Sequence, residues 1–299
     1  MRAATGDTAW RRGRFDGRPG KSRLLFGRMH EDCAIESRAF APGGRVFCIA
    51  SAGCTAIELS RRHEVVAVDV NPVQVAYVKS RTEGALPSRG LAERLMDFGR
   101  SLGPLVGWRR SRIDDFLDLD DPAEQVAYWR QHLDTLRFRA AMNLALSKAI
   151  LSTLYVNDFL RCVPGDFGDV MRRRMERCFA RHANRRNPYA RELLLGEPRL
   201  QPAPAENERI RIVHSDAAAF LENEPAGAFN GFALSNVFDG ARAEYKHRLT
   251  AAVRRAAAPG AVAVLRSFSE PHAASDAGLA GEDRSMLWGI VEARPAVSL

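Results

Sequence analysis

The sequence predicts a doubly wound α/β domain, a mostly parallel sheet with helices on both faces, interrupted by a helical block. Three observations carry that expectation. Short apolar runs alternate with helical stretches at both ends of the chain, the first run breaks at a glycine turn, and the second ends in an acid.

Val46-Phe47-Cys48-Ile49-Ala50 is the first run, closed by Ser51-Ala52-Gly53-Cys54, the pattern of a buried strand entering a tight turn. Thr55 to Arg62 supplies the next helix, and Glu64 to Asp69 reads as the second strand. Further on, Arg209 to His214, Phe232 to Asn236 and Ala261 to Leu265 read as the third, fourth and fifth strands. Helices over Ala217 to Asn223 and Tyr245 to Ala258 join them, the second stopped by Pro259-Gly260. Between Ala85 and Glu208 strand patterns disappear. Amphipathic stretches over Ala123 to Leu160 and Phe167 to Leu195 replace them, ahead of a proline-rich return over Pro198 to Pro204. The chain thus divides into a basic tail (1–23), expected to be flexible, a first part of the sheet domain (24–84), a helical insertion (85–208) and a second part (209–299). Covering the carboxyl ends of the strands, the insertion would shape an acceptor pocket; the plainer alternative is a packing appendage.

With 299 residues and 46% hydrophobic content, the chain can bury a full core. Its formal charge of +8 comes from an arginine excess in the first 23 residues and in Arg172 to Arg186. Such runs are ordinary solvated faces or contact anionic partners. Nucleic acid is not the expected partner, because the aromatic interleaving of a single-strand platform is missing. The five cysteines are odd in number and lack CxxC spacing, so neither a disulfide framework nor a zinc site is indicated, no metal is expected, and a reducing cytoplasm fits. No apolar run approaches the roughly 20 residues that span a bilayer, which leaves at most peripheral membrane contact.

In an open α/β sheet, ligands sit outside the carboxyl ends of the strands, where small residues let backbone approach the cofactor. Ser51, Ala52 and Gly53 meet that need, and Asp69 is placed to accept hydrogen bonds from both ribose hydroxyls of an adenosine. A dinucleotide would call for Gly-x-Gly-x-x-Gly to cradle its pyrophosphate, whereas this turn has only Gly53. S-Adenosylmethionine has no phosphate and tolerates such a turn. Asn236 could then hold its amino acid part. Each residue also has an ordinary role available: Asp69 as a loop acid, Asp216 as a helix N-cap, Asn236 as a turn former.

Several segments extend this reading: His30-Glu31-Asp32, Ile49 to Cys54, Ala67-Val68-Asp69-Val70-Asn71-Pro72, Asn187-Pro188-Tyr189 and Glu282-Asp283-Arg284-Ser285. Together with Ala127-Tyr128-Trp129 and Met171 to Phe179, they resemble the betaine-lipid-type 3-amino-3-carboxypropyl transferases, over about Leu24 to Arg294. That family has Trp-Glu-Asp before the first strand, Ile-Ala-Ser-x-Gly-x-Asn at the turn and Val-Asp-x-Asn after the second strand. The resemblance implies a Rossmann-like class I S-adenosylmethionine-dependent transferase sheet with the insertion between its second and third strands. It also implies transfer of the 3-amino-3-carboxypropyl arm, with methylthioadenosine released. Two positions depart from the pattern: His30 replaces the tryptophan, and Thr55 stands where asparagine is usual. The insertion is shorter than in members acting on diacylglycerol. A smaller relative, isonocardicin synthase, moves the same arm to a phenolic oxygen, so the acceptor expected here is a phenol or alcohol of a small or lipid-like molecule.

A sulfonium activates all three of its carbons, so the product depends on which carbon faces the nucleophile. An ordinary methyltransferase is therefore the near alternative, and a non-catalytic cofactor- or nucleic-acid-binding protein the distant one. His214, Asp239 and Tyr189 are the candidate general bases. Glu31 and Asp32 would anchor the segment entering the site or hold the donor amino group, Asn71 and Asp216 would line the cofactor, and Arg266 could pair with the donor carboxylate. Arg284 could be structural.

Overall fold

The computed structural model describes Trp10, residues 21–199 and residues 209–299. Nearly all of the expected basic tail, and the proline-rich return beyond Arg199, lie outside the described residues.

Six strands form one sheet: β1 (Arg45–Ile49), β2 (Glu64–Asp69), β3 (Ile210–His214), β4 (Phe229–Ala233), β5 (Ala257–Ser267) and β6 (Ile290–Pro295). Their order is β3-β2-β1-β4-β5-β6, parallel throughout except for β6, which runs antiparallel to β5 at the edge. This mostly parallel α/β arrangement is compatible with a Rossmann-like fold. Side chains alternate across it as the two-residue strand period requires. Phe47, Val66, Val68 and Phe232 pack on one face against Leu221, Leu249 and Val253, while Val46, Cys48, Val65 and Ala67 pack on the other against Ile35, Ile57 and Val78.

The helices of the first part are α1 (Ala34–Ala39), α2 (Cys54–Leu59) and α3 (Pro72–Thr82). Asn71 caps α3, its Oδ1 accepting from Val73 N at 3.0 Å, with Pro72 at the first helical position, where the missing N–H costs nothing.

Between β2 and β3 the described residues contain no strand, as expected. They form α4 (Leu91–Ser101), α5 (Arg110–Leu117), α6 (Pro122–Tyr128), α7 (Leu136–Ala145), α8 (Lys148–Leu154), α9 (Asn157–Leu160), α10 (Phe167–Phe179) and α11 (Pro188–Leu195). The two long amphipathic stretches expected here are subdivided by their own caps. Thr135 accepts from Phe138 N, Ser147 from Ile150 N, and Asn187 from the amides of Tyr189 and Ala190, and each of these side-chain bonds starts a new helix. Phe116, Trp129, Leu133, Phe138 and Phe179 give this block a core of its own.

Two helices complete the second part: α12 (Ala217–Asn223) and α13 (Ala243–Ala256). Pro259-Gly260, expected to end α13 outside the sheet, instead lies within β5. The helix stops at Ala256, and the pair is absorbed where the β4–β5 register shifts, with Gly260 at φ 77°. β4 ends at Ala233, short of the expected Asn236, because Ser235 leaves the extended region. β6 was not anticipated: it is a short edge strand whose alternation is broken by charge.

Candidate functional site

β1 and β4 are neighbours whose chains continue toward opposite sides of the sheet, so a crevice opens outside their carboxyl ends. The backbone is strained on both sides of it. Ser51, two residues past β1, has φ 43°, and Ser235, two residues past β4, has φ 52°, left-handed values that cost a side-chain-bearing residue roughly 1–2 kcal/mol each. Gly53 completes the first turn at φ 81°, and a Cβ there would meet Val78 Cγ1 at 2.7 Å, so close helix packing requires glycine as well. Ala52 is buried beneath the turn, its carbonyl accepting from Arg81 Nη1 at 2.7 Å.

Asp69 ends β2 beside this turn. Its Oδ2 accepts from Ser51 N at 3.0 Å and its Oδ1 from Asn71 N at 2.8 Å. All its donors among the described residues are backbone amides, and none of those residues places a cation against its charge. Removal from water outweighs those bonds and raises the carboxyl to about 6. Asn71 is not free to contact a ligand: besides capping α3, it donates from Nδ2 to Arg23 O at 2.9 Å.

Glu31, Asp32 and Arg266 occupy the β4–β5 side. Glu31 accepts from the Ser235 hydroxyl and lies 3.5 Å from Arg266 Nη1. Burial, reinforced by neighbouring Glu36 and Asp283, pushes its carboxyl up to about 7 against the pull of Arg266. Arg266 is fully enclosed. Its Nε donates to Asp283 at 2.9 Å, its Nη2 to Glu36 and to Asp32 O, both at 3.0 Å, and its Nη1 to Glu36. The expected pairing of this fork with a donor carboxylate finds it already filled by the protein's own acceptors.

Asp32 is likewise saturated. Arg284 grips it with Nε and Nη2, Tyr189 donates its hydroxyl at 3.2 Å, and Ala34 N adds a bond at 3.1 Å. Burial opposes ionisation here, but the Arg284 bonds prevail and hold the carboxyl below its ordinary value. Arg284 also ties in Asn187, whose Nδ2 donates to its carbonyl at 3.2 Å. Segments some 150 and 250 residues apart, at 30–32, 187–189 and 282–285, thereby form one network. Glu31, Asp32, Glu36 and Asp283 face Arg266 and Arg284, and although Glu31, raised to about 7, is only part-ionised at neutral pH, the acids still outweigh the arginines, an electrostatic preference for a cationic ligand.

The expected bases fall in different places. Tyr189 is buried, its ring under Arg199 at 3.9 Å, its hydroxyl committed to Asp32 and burial raising it well above its ordinary range. Asp239 is spent on Ser267 Oγ at 2.7 Å and Phe268 N at 2.9 Å. His214 is exposed opposite Asp69 in register, with Nε2 at 3.1 Å from Val70 O. Asp216 caps α12 through Ala219 N at 2.9 Å, one of the ordinary roles foreseen for it. Asn236 lies in the loop after β4, next to Ser235.

Sequence reasoning missed Ser235, Glu36 and Arg199. A Leu-Ser-Asn exit from a strand was the available signal for the first. Glu36 looks like a solvated acid on a short helix, and Arg199 sits in what reads as a linker. Thr55 is buried at the first turn of α2 with its hydroxyl unpartnered, an orphan beside the crevice.

The insertion touches the strand ends directly. Arg174 is bolted to Glu270, Leu287 O and Phe268 O, and Cys162 meets the loops after β4 and β5. The arginine run is consumed in similar contacts, Arg172 with Asp134 and Asp169, Arg177 with Trp288 O and Arg181 with Glu282. No family model, curated protein or solved structure matches the chain.

Proposed function

We propose that the chain is a class I S-adenosylmethionine-dependent transferase that moves the 3-amino-3-carboxypropyl arm of its co-substrate to a phenolic or alcoholic oxygen of a small or amphiphilic acceptor. The acceptor oxygen attacks the arm's γ-carbon, the carbon–sulfur bond breaks, and its electron pair stays on sulfur as neutral methylthioadenosine. The acceptor's proton leaves to a base or to water. The convergence of His30-Glu31-Asp32, Ser51 to Cys54, Asp69, Asn187 to Tyr189 and Asp283-Arg284 near the carboxyl ends of β2, β1, β4 and β5 carries this reading. Asp69, held only by backbone amides, suits ribose hydroxyls. The acid-rich Glu31 side suits the donor's ammonium, and the orphaned Thr55 hydroxyl offers a further polar contact. The five thiols are all unpaired, in keeping with a reducing cytoplasm.

Methyl transfer from the same sulfonium would use the same adenosine site, so the products decide between them. Incubation with S-adenosylmethionine and a panel of phenols and alcohols, followed by chromatography, should yield methylthioadenosine. S-Adenosylhomocysteine in its place would overturn the proposal.

A further inference from the structure

The exposed apolar surface is unevenly distributed. Of the eight large hydrophobic side chains that stand exposed among the described residues, seven lie in the helical insertion. On α4, the turn after it, α7 and α8, Phe98 (66% exposed), Leu105 (71%), Leu136 (81%) and Leu144 (68%) are the most open, with Leu102 and Ile150 also exposed. The elements bearing them follow one another in space. α4 runs into the turn Gly103–Val106, Thr135 at the start of α7 donates its hydroxyl to Val106 O at 3.3 Å, and α7 continues into α8.

Spacing aligns these side chains. Arg94, Phe98 and Leu102 follow each other at four-residue intervals along α4 and its end, as do Leu136, Ala140 and Leu144 along α7. The opposite face of α7 turns Phe138 and Met142 into the insertion core, which leaves this helix apolar on both sides. α13 behaves otherwise: behind Leu249 and Val253 its outer face carries Glu244, His247, Arg254 and Arg255. A surface helix with two apolar faces calls for a second apolar phase.

Charge selects the occupant. From Thr135 to Asn157 there is no acid, while Arg137, Arg139 and Lys148 are basic. Arg139 pairs with Asp134 at 2.9 Å, but Arg94, Arg137 and Lys148 make no ion pair among the described residues. A second copy packed on this face would set these cations against their own kind. A bilayer with anionic headgroups accepts both features, hydrocarbon receiving the leucines and phenylalanine and phosphates receiving the free cations. We propose that α4, the turn after it and α7–α8 form a docking face for the surface of an anionic lipid bilayer. This docking is independent of the chemistry at the strand ends.

Sedimentation of the full chain with vesicles of phosphatidylcholine, with and without phosphatidylglycerol, tests it. Binding should require phosphatidylglycerol, weaken with salt, and fall roughly fivefold for each of Arg137→Gln and Lys148→Gln. The double variant Leu136→Glu/Leu144→Glu should lose binding and keep the wild-type unfolding midpoint, because both side chains are exposed. Failure to bind the anionic vesicles would overturn the proposal. So would binding that the double variant retains, or a dimer that this variant dissociates in light scattering with no vesicle binding in the parent.

Discussion

Two aspartates, Asp69 at the end of β2 and Asp32 ahead of α1, are held in opposite ways. Asp69 rests on backbone amides, faces no cation among the described residues and is raised to about 6, whereas Asp32 is gripped by Arg284 and Tyr189 and is lowered. The difference separates a group whose charge still lacks a partner from a group whose partner is the protein itself. In the proposed function Asp69 is by that criterion the carboxyl that meets the ligand, Glu31, 3.5 Å from Arg266 Nη1 and raised to about 7, stands between the two cases, and Asp32, Arg266, Arg284 and Tyr189 are the frame that positions them.

The frame should fail by unfolding. Arg266→Met leaves Glu36 and Asp283 buried without their cation and should cost about 3–5 kcal/mol, read from urea denaturation. A variant of unchanged stability would place Arg266 outside the frame. On the ligand side, Asp69→Asn should weaken S-adenosylmethionine binding roughly ten- to hundredfold in calorimetry, the worth of lost charge-assisted hydrogen bonds, with little change in unfolding midpoint. The same logic fixes a sign with pH. The ionised form is the better acceptor, so affinity should fall as pH is lowered through about 6 and Asp69 takes up its proton. Flat affinity across that range would remove Asp69 from the binding account.

Glu31 gives a smaller effect on stability with the reverse sense. Its folded value of about 7 lies above its ordinary 4.5, so its protonated form favours the fold, a contribution complete below 4.5 and lost as pH rises through about 7. Glu31→Gln should flatten that slope in denaturation curves. In the parent, binding of the cationic co-substrate near pH 7 should release protons, seen as a buffer-dependent enthalpy that the variant lacks. Smallest is Tyr189→Phe, which removes one hydrogen bond to Asp32 and should cost about 1 kcal/mol of stability while leaving turnover near the parent's. A hundredfold fall in turnover at unchanged stability would restore Tyr189 as a base.

The strand alternation and the single-glycine turn made β1 to β5 legible in the sequence, because burial on both faces leaves unmistakable apolar runs. Pro259-Gly260 and Ser235 shifted the boundaries through local backbone geometry that periodicity does not encode. Within the site, Asp69 followed from its place at a strand end. The roles of Asp32, Tyr189 and Arg266 did not, because their contacts span from about 150 to 250 residues of sequence and exist only after folding. Arg266 has the residue type of a carboxylate ligand, and only its filled coordination distinguishes a strut from a binding group.

The most direct test of the proposed chemistry follows the two ends of the sulfonium separately. S-Adenosylmethionine labelled with one isotope in its methyl group and another in its carboxypropyl arm is incubated with the full chain and a hydroxyl acceptor. The arm label should move to the acceptor while the methyl label remains in the adenosine-containing product. Methyl label on the acceptor, with the arm label left on the nucleoside, would contradict it.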